Sequence, residues 1–144
     1  MKELRVKIVS ALLAFLLPLA ALPAGAQQIP DIPTIQTSAG GGTVTGQVAA
    51  NGRNVYSVSA NSLQALSVTI ASPGNNAIFQ VYDVGASATG ATGSAVVSGT
   101  TLSGAGTADA SMAWIGVIPQ TGMYLIAIES KGGPASYTLT VQLQ

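Results

Sequence analysis

AWIGVIPQTGMYLIAIES, residues Ala113 to Ser130, places Trp114, Gly116 and Ile118 at every second position, breaks at Pro119-Gln120-Thr121-Gly122, and resumes with Tyr124, Ile126 and Ile128. Successive side chains of an extended strand point to opposite faces, so this is the pattern of two strands and a turn. It predicts a β-hairpin with Trp114 and Tyr124 on the inner side. ASYTLTVQL, Ala135 to Leu143, follows with Tyr137, Leu139, Val141 and Leu143 in the same period. The C-terminal third is therefore expected to be a small all-β core.

Working back from it, strand-like segments recur at Thr43 to Val48, Asn54 to Ala60, Gln64 to Ile70 and Ala77 to Asp83, with Phe79 and Val81 the inward residues of the last. Pro73-Gly74 between the last two predicts a type II turn, because proline sets φ at the first central position and glycine accepts positive φ at the second. From Gly85 to Ser111 the chain is almost entirely Ala, Gly, Ser, Thr and Val, with Asp109 its single charge. Its glycines are too frequent for a helix, each costing about 1 kcal/mol against alanine. Short strands near Ala95 to Val97 and at Thr101 and Leu102 fit this stretch. The sum is an all-β protein, an antiparallel β-sandwich or jelly roll of about eight short strands.

At the N-terminus Lys2, Arg5 and Lys7 precede an apolar run from Ile8 to Leu22 and then Ala24-Gly25-Ala26. A charged start, a short apolar stretch and small residues at the end predict a cleavable signal peptide over residues 1–26. Pro18 and Pro23 break the run, which is shorter than the roughly 20 residues of a spanning helix. The expected location is exported, periplasmic or extracellular, with no stable membrane insertion after cleavage. Residues 27–42, with Pro30, Pro33 and three glycines, read as an extended arm or linker. The alternative is an edge strand that inserts Ile29, Ile32 and Ile35 into a neighbour. Residues 43–144 form the sandwich domain, a single one at this length.

Beyond the signal, Arg53 and Lys131 face Asp31, Asp83, Asp109 and Glu129. So few cations hold few phosphates, and nucleic acid is not an expected partner. The chain has no cysteine, so no disulfide framework holds it, although export permits one.

The series Arg53-Asn-Val-Tyr56-Ser-Val58, Gln64-Ala-Leu66-Ser-Val68, Phe79-Gln-Val-Tyr82-Asp83, Trp114 through Tyr124 and Tyr137-Thr-Leu139-Thr-Val141 resembles the bacterial pre-peptidase C-terminal domain. The resemblance implies a secreted β-sandwich commonly found beside exported enzymes. This chain departs from the pattern in three ways: Leu63 stands where such domains usually carry glycine, Met123 where many have a polar residue, and no acidic calcium cluster is visible. More narrowly, the chain resembles the periplasmic inhibitors of goose-type lysozyme in size, export and a Ser-Gly-x-Tyr element, here Thr121-Gly122-Met123-Tyr124. That likeness implies a loop that enters the lysozyme cleft with Thr121 supplying a hydroxyl. Across the wider domain family the same element is a turn signature, with glycine at positive φ and tyrosine starting a buried strand.

With no histidine and no cysteine, triads of the Ser-His-Asp or Cys-His kind are excluded, as are zinc sites built on those ligands. An acid–base pair would have to come from the four carboxylates, and Asp83 and Asp109 sit where aspartate bonds turn backbone. Asp83, Asp109, Asn75 and Asn76 offer oxygen ligands that loops could bring together, but too few carboxylates for a tight calcium site. No cofactor and no catalysis are expected. Trp114, Tyr124 and Tyr82 could stack on a sugar if exposed, and Tyr82, out of phase with Phe79 and Val81, is the one expected at the surface. The expected function is a non-catalytic exported binding or accessory module at the cell envelope, its partner a protein or polysaccharide there and, on the narrower resemblance, a lysozyme. A structural surface subunit is the third reading, from the Ala/Gly/Ser/Thr composition and the Ile-rich arm. The candidate contact residues are Gln120, Thr121, Met123 and Tyr82.

Overall fold

The structure is a computed structural model that describes residues 32–91 and 93–144. The expected signal peptide and the first residues of the expected arm lie outside the described residues. Nine strands follow in chain order: β1 (Gly41–Val48), β2 (Arg53–Ala60), β3 (Ala65–Ala71), β4 (Ala77–Tyr82), β5 (Ser87–Thr89), β6 (Val96–Ser98), β7 (Ala113–Val117), β8 (Gly122–Ser130) and β9 (Ala135–Leu143). A four-stranded sheet runs β1-β9-β3-β7 and a three-stranded sheet runs β2-β8-β4, every pairing antiparallel. The two face each other as a β-sandwich. Passing from each of β1, β2 and β3 to the next strand, and from β7 to β8 and β8 to β9, the chain changes sheet, which is the interlocked order of a jelly roll.

This order corrects the hairpin reading of Ala113 to Ser130. β7 pairs with β3 and β8 pairs with β2 and β4, so Pro119 to Thr121 is an arch from one sheet to the other. Alternation reports which face of a strand is buried and is the same for a hairpin and an arch. β9 likewise pairs with β1 and β3 rather than with β8.

The alternating rows meet between the sheets. In β9, Ala135, Tyr137, Leu139, Val141 and Leu143 are buried while Ser136 and Gln142 are exposed. Leu66, Val68, Phe79, Val81, Ile118, Tyr124, Ile126, Ile128 and Leu139 are all fully buried in this layer. Each such side chain contributes about 1.5–3 kcal/mol. All six residues of β4 are buried, and on its outer face the β5–β6 ribbon packs over Tyr82. There Val55, Tyr82, Leu125, Ala127, Ala88, Ala95 and Val97 form a second, smaller core. Tyr82 is thus 6 % exposed, and its expected place at the surface is corrected. Period-two alternation cannot reveal a ribbon that covers the outer face of a sheet.

Both edge strands of the three-stranded sheet are flanked by connecting chain. Leu102 N–H donates to Val81 C=O at 2.9 Å and Val81 N–H to Ala105 C=O at 3.0 Å, which runs the segment along the free side of β4. Ser111 then accepts from Phe79 and Met112 from Ile70, carrying the chain across to the large sheet. On the opposite side Ile35 N–H donates to Ser57 C=O and Ser57 N–H to Pro33 C=O, laying the arm beside β2. Ile35 is buried in the main core and Ile32 packs on the second. The Pro73–Gly74 turn forms as expected, with Gly74 at φ 67° and Asn75 N–H donating to Ser72 C=O at 3.0 Å.

Candidate functional site

Three of the four candidate contacts gather at one end of the sandwich. Two connections meet there, Asn61 to Gln64 between β2 and β3 and Ile118 to Thr121 between β7 and β8. Hydrogen bonds lace them together: Leu63 N–H to Ile118 C=O and Ile118 N–H to Gln64 C=O, both 2.8 Å, and Ser62 N–H to Thr121 Oγ1 at 3.0 Å. Gln64 Oε1 accepts from Asn61 N–H at 2.7 Å and closes the first loop on itself. The second is fixed from beneath by Tyr124, whose fully buried ring sends its hydroxyl up to Gln120 C=O at 2.5 Å. Gln120 N–H approaches the Tyr124 hydroxyl oxygen at 3.4 Å.

Burial pushes the Tyr124 phenol above its ordinary pKa; the Gln120 N–H opposes the shift and the negative charge of Asp83 adds to it. A neutral hydroxyl, able to donate, is what the loop needs. Gly122 does not take positive φ, which corrects the turn-signature expectation. It is glycine because a Cβ there would run into the Val84 side chain, itself positioned by Asp83 Oδ1 accepting from Val84 N–H at 2.7 Å. The result is a rigid tip on which Pro119, Gln120, Thr121 and Met123 are exposed.

Tyr82 does not belong to this surface, being closed under the β5–β6 ribbon. Trp114 is half-buried against the main core with its indole N–H donating to Ser103 C=O at 2.9 Å, and Tyr124 is inside. The three aromatic residues therefore share no exposed platform. Sequence reasoning missed Leu63, which is 84 % exposed on the first loop with φ 73°. Its signal was present in the departure from the glycine usual at that place.

The described carboxylates are occupied where they stand. Asp83 holds Val84, Asp109 Oδ2 accepts from Gly106 N–H at 2.7 Å, and Glu129 pairs with Arg53 and accepts from Gln80 Nε2 at 3.0 Å. Asn76 Nδ2 donates to Gly133 C=O at 3.0 Å, away from either aspartate's turn. A shallow groove of about 510 Å³ lies toward the other end of the molecule, lined by Thr45, Gln47, Pro73, Ser136 and Thr138.

No family model matches the chain, and no curated protein matches it in sequence. Solved structures resemble it in fold. The periplasmic inhibitor of g-type lysozyme from Aeromonas hydrophila superimposes with a TM-score of 0.54 at 22% identity, over 80% of this chain and 99% of that one. Its counterpart from Salmonella Typhimurium gives 0.52 at 14% identity, over 78% and 97%. The pre-peptidase C-terminal domain of a Bacillus anthracis collagenase gives 0.44 at 15% identity, over 78% and 94%. The chain thus shares the sandwich of the periplasmic lysozyme inhibitors.

Proposed function

We propose that this protein is a non-catalytic, exported binding module of the cell envelope that inhibits g-type lysozyme through the tip built from Asn61–Gln64 and Pro119–Met123. The observation that carries the reading is the bracing of an exposed, uncharged loop: Tyr124 anchors Gln120 from below and Ser62 holds the Thr121 hydroxyl from the side. A loop held in this way loses little conformational entropy on docking, which favours affinity. The similarity in fold to the Aeromonas and Salmonella inhibitors supports the choice of partner. So does the occupation of the described carboxylates by their own neighbours, which suits a binding protein better than an acid–base catalyst.

The test is a cell-wall lysis assay with g-type lysozyme and purified protein. Inhibition at near-stoichiometric ratio is expected, weakened about tenfold in Gln120→Ala and Thr121→Ala and retained in Thr121→Ser, which keeps the hydroxyl. Lysozyme left fully active by a large excess of wild-type protein would sink the proposal.

A further inference from the structure

A single exposed leucine needs no explanation, since much of any protein surface is apolar. Leu63 combines two unfavourable properties at one position. Its side chain is 84 % exposed, so it contributes almost nothing to either core, and its backbone sits at φ 73°, where a bulky L-residue is an outlier. Glycine would occupy the same conformation without strain. Nor does the backbone hydrogen bonding require leucine, because Leu63 donates its N–H to Ile118 C=O, as any residue but proline would. The strained conformation aims the side chain outward on the loop that is laced to Thr121.

The surroundings define what it meets. Met123, 56 % exposed, lies at the same end of the sandwich, and no residue of 59–64 or 119–123 carries a charge. Asn61 to Leu63 and Pro119 to Thr121 are runs of exposed residues, so the end projects. Two such projections from identical copies bury little area against each other, whereas a cleft receives one well.

We infer that Leu63 is a second anchor of the docking tip, an apolar plug that enters an uncharged, hydrophobic recess in the cleft of the partner lysozyme beside the place taken by Thr121. The inference rests on the tip's being the docking face. Its distinguishing property is that stability and binding move in opposite directions.

Leu63→Gly and Leu63→Asn, both at ease at positive φ, should hold or raise the melting temperature, the glycine variant by about 3 °C, while weakening lysozyme inhibition about tenfold. Leu63→Ala, which keeps the strain and loses the plug, should weaken inhibition equally with no gain in melting temperature. Inhibition unchanged in all three variants, with wild type active, overturns the role of Leu63 and leaves the tip reading standing. A lower melting temperature in Leu63→Gly would make the leucine structural and also overturn it. Wild-type protein that fails to inhibit removes both readings. Wild type eluting as a dimer and Leu63→Gly as a monomer would assign the plug to a second copy and overturn the lysozyme recess.

Discussion

Gly122 and Val84 show how one missing methyl group sets the position of a whole loop. A Cβ at Gly122 would meet Val84, and Val84 is held by Asp83. Gly122→Ala is expected to lose about 1–3 kcal/mol, the usual cost of overpacking, and to weaken inhibition. Adding Val84→Ala should restore much of the loss, since the double variant reopens the space, and a double-mutant cycle by thermal melting measures the coupling. Two tyrosines, Tyr124 fully buried and Tyr56 half-buried, give a second residue-scale prediction. Burial raises the Tyr56 phenol above its ordinary pKa, helped by its hydrogen bond to Tyr137, and burial raises Tyr124 as well. Phenols whose pKa is higher in the folded than in the unfolded chain stabilise the fold fully below about pH 10, and that stability is lost as pH rises beyond it. Melting temperature should fall steeply above pH 10, and the fall should flatten in Tyr56→Phe/Tyr124→Phe, read by circular dichroism.

Among the elements, the arm is the one whose role changes most between sequence and structure. Read from Pro33 and the glycines it is a tether, yet Ile35 is 3 % exposed and its backbone bonds Ser57. Ile35→Ala should cost about 2–5 kcal/mol, as for other buried large-to-small changes, whereas a tether would lose nothing measurable in a denaturant titration. The strands of the two main sheets were legible because each buries one face: Phe79 and Val81, or Leu139 and Val141, announce themselves by alternation. Pairing was not legible. Ile118 and Tyr124 keep the same period across an arch as across a hairpin, and only the sheet to which each strand docks tells them apart. β5 and β6 are three residues each, with Ala88 and Val97 as their inward side chains, so they leave almost no pattern while burying Tyr82. Of the proposed tip, the exposure of Gln120, Thr121 and Met123 was readable from the turn they occupy. Leu63 was visible only as an anomaly, because exposure and φ belong to the folded backbone and not to composition.

For the molecule as a whole, β7 leaves the large sheet with an edge that, among the described residues, pairs with β3 alone and shows Ile115 and Val117 at 71 % and 64 % exposure. Protected edges usually carry lysine, proline or a bulge, and Ala113 to Val117 has no lysine and no proline. Ile115→Lys should suppress concentration-dependent association in light scattering while changing stability by no more than about 0.5 kcal/mol, as for other surface positions. The central place of β9 between β1 and β3 has a consequence in time. Gly41 pairs with Gln142 and Leu66 with Leu143, so the large sheet cannot assemble until the final strand is present. A chain delivered N-terminus first, from a ribosome or through a pore, has no stable prefix: β1 waits without a mate while the 86 residues between Val48 and Ala135 pass. Protein ending at Pro134 should give the circular dichroism of an unfolded chain. The full chain should refold on the slow scale of non-local β-topologies, about milliseconds to seconds, and until β9 follows, the preceding polypeptide stays threadable.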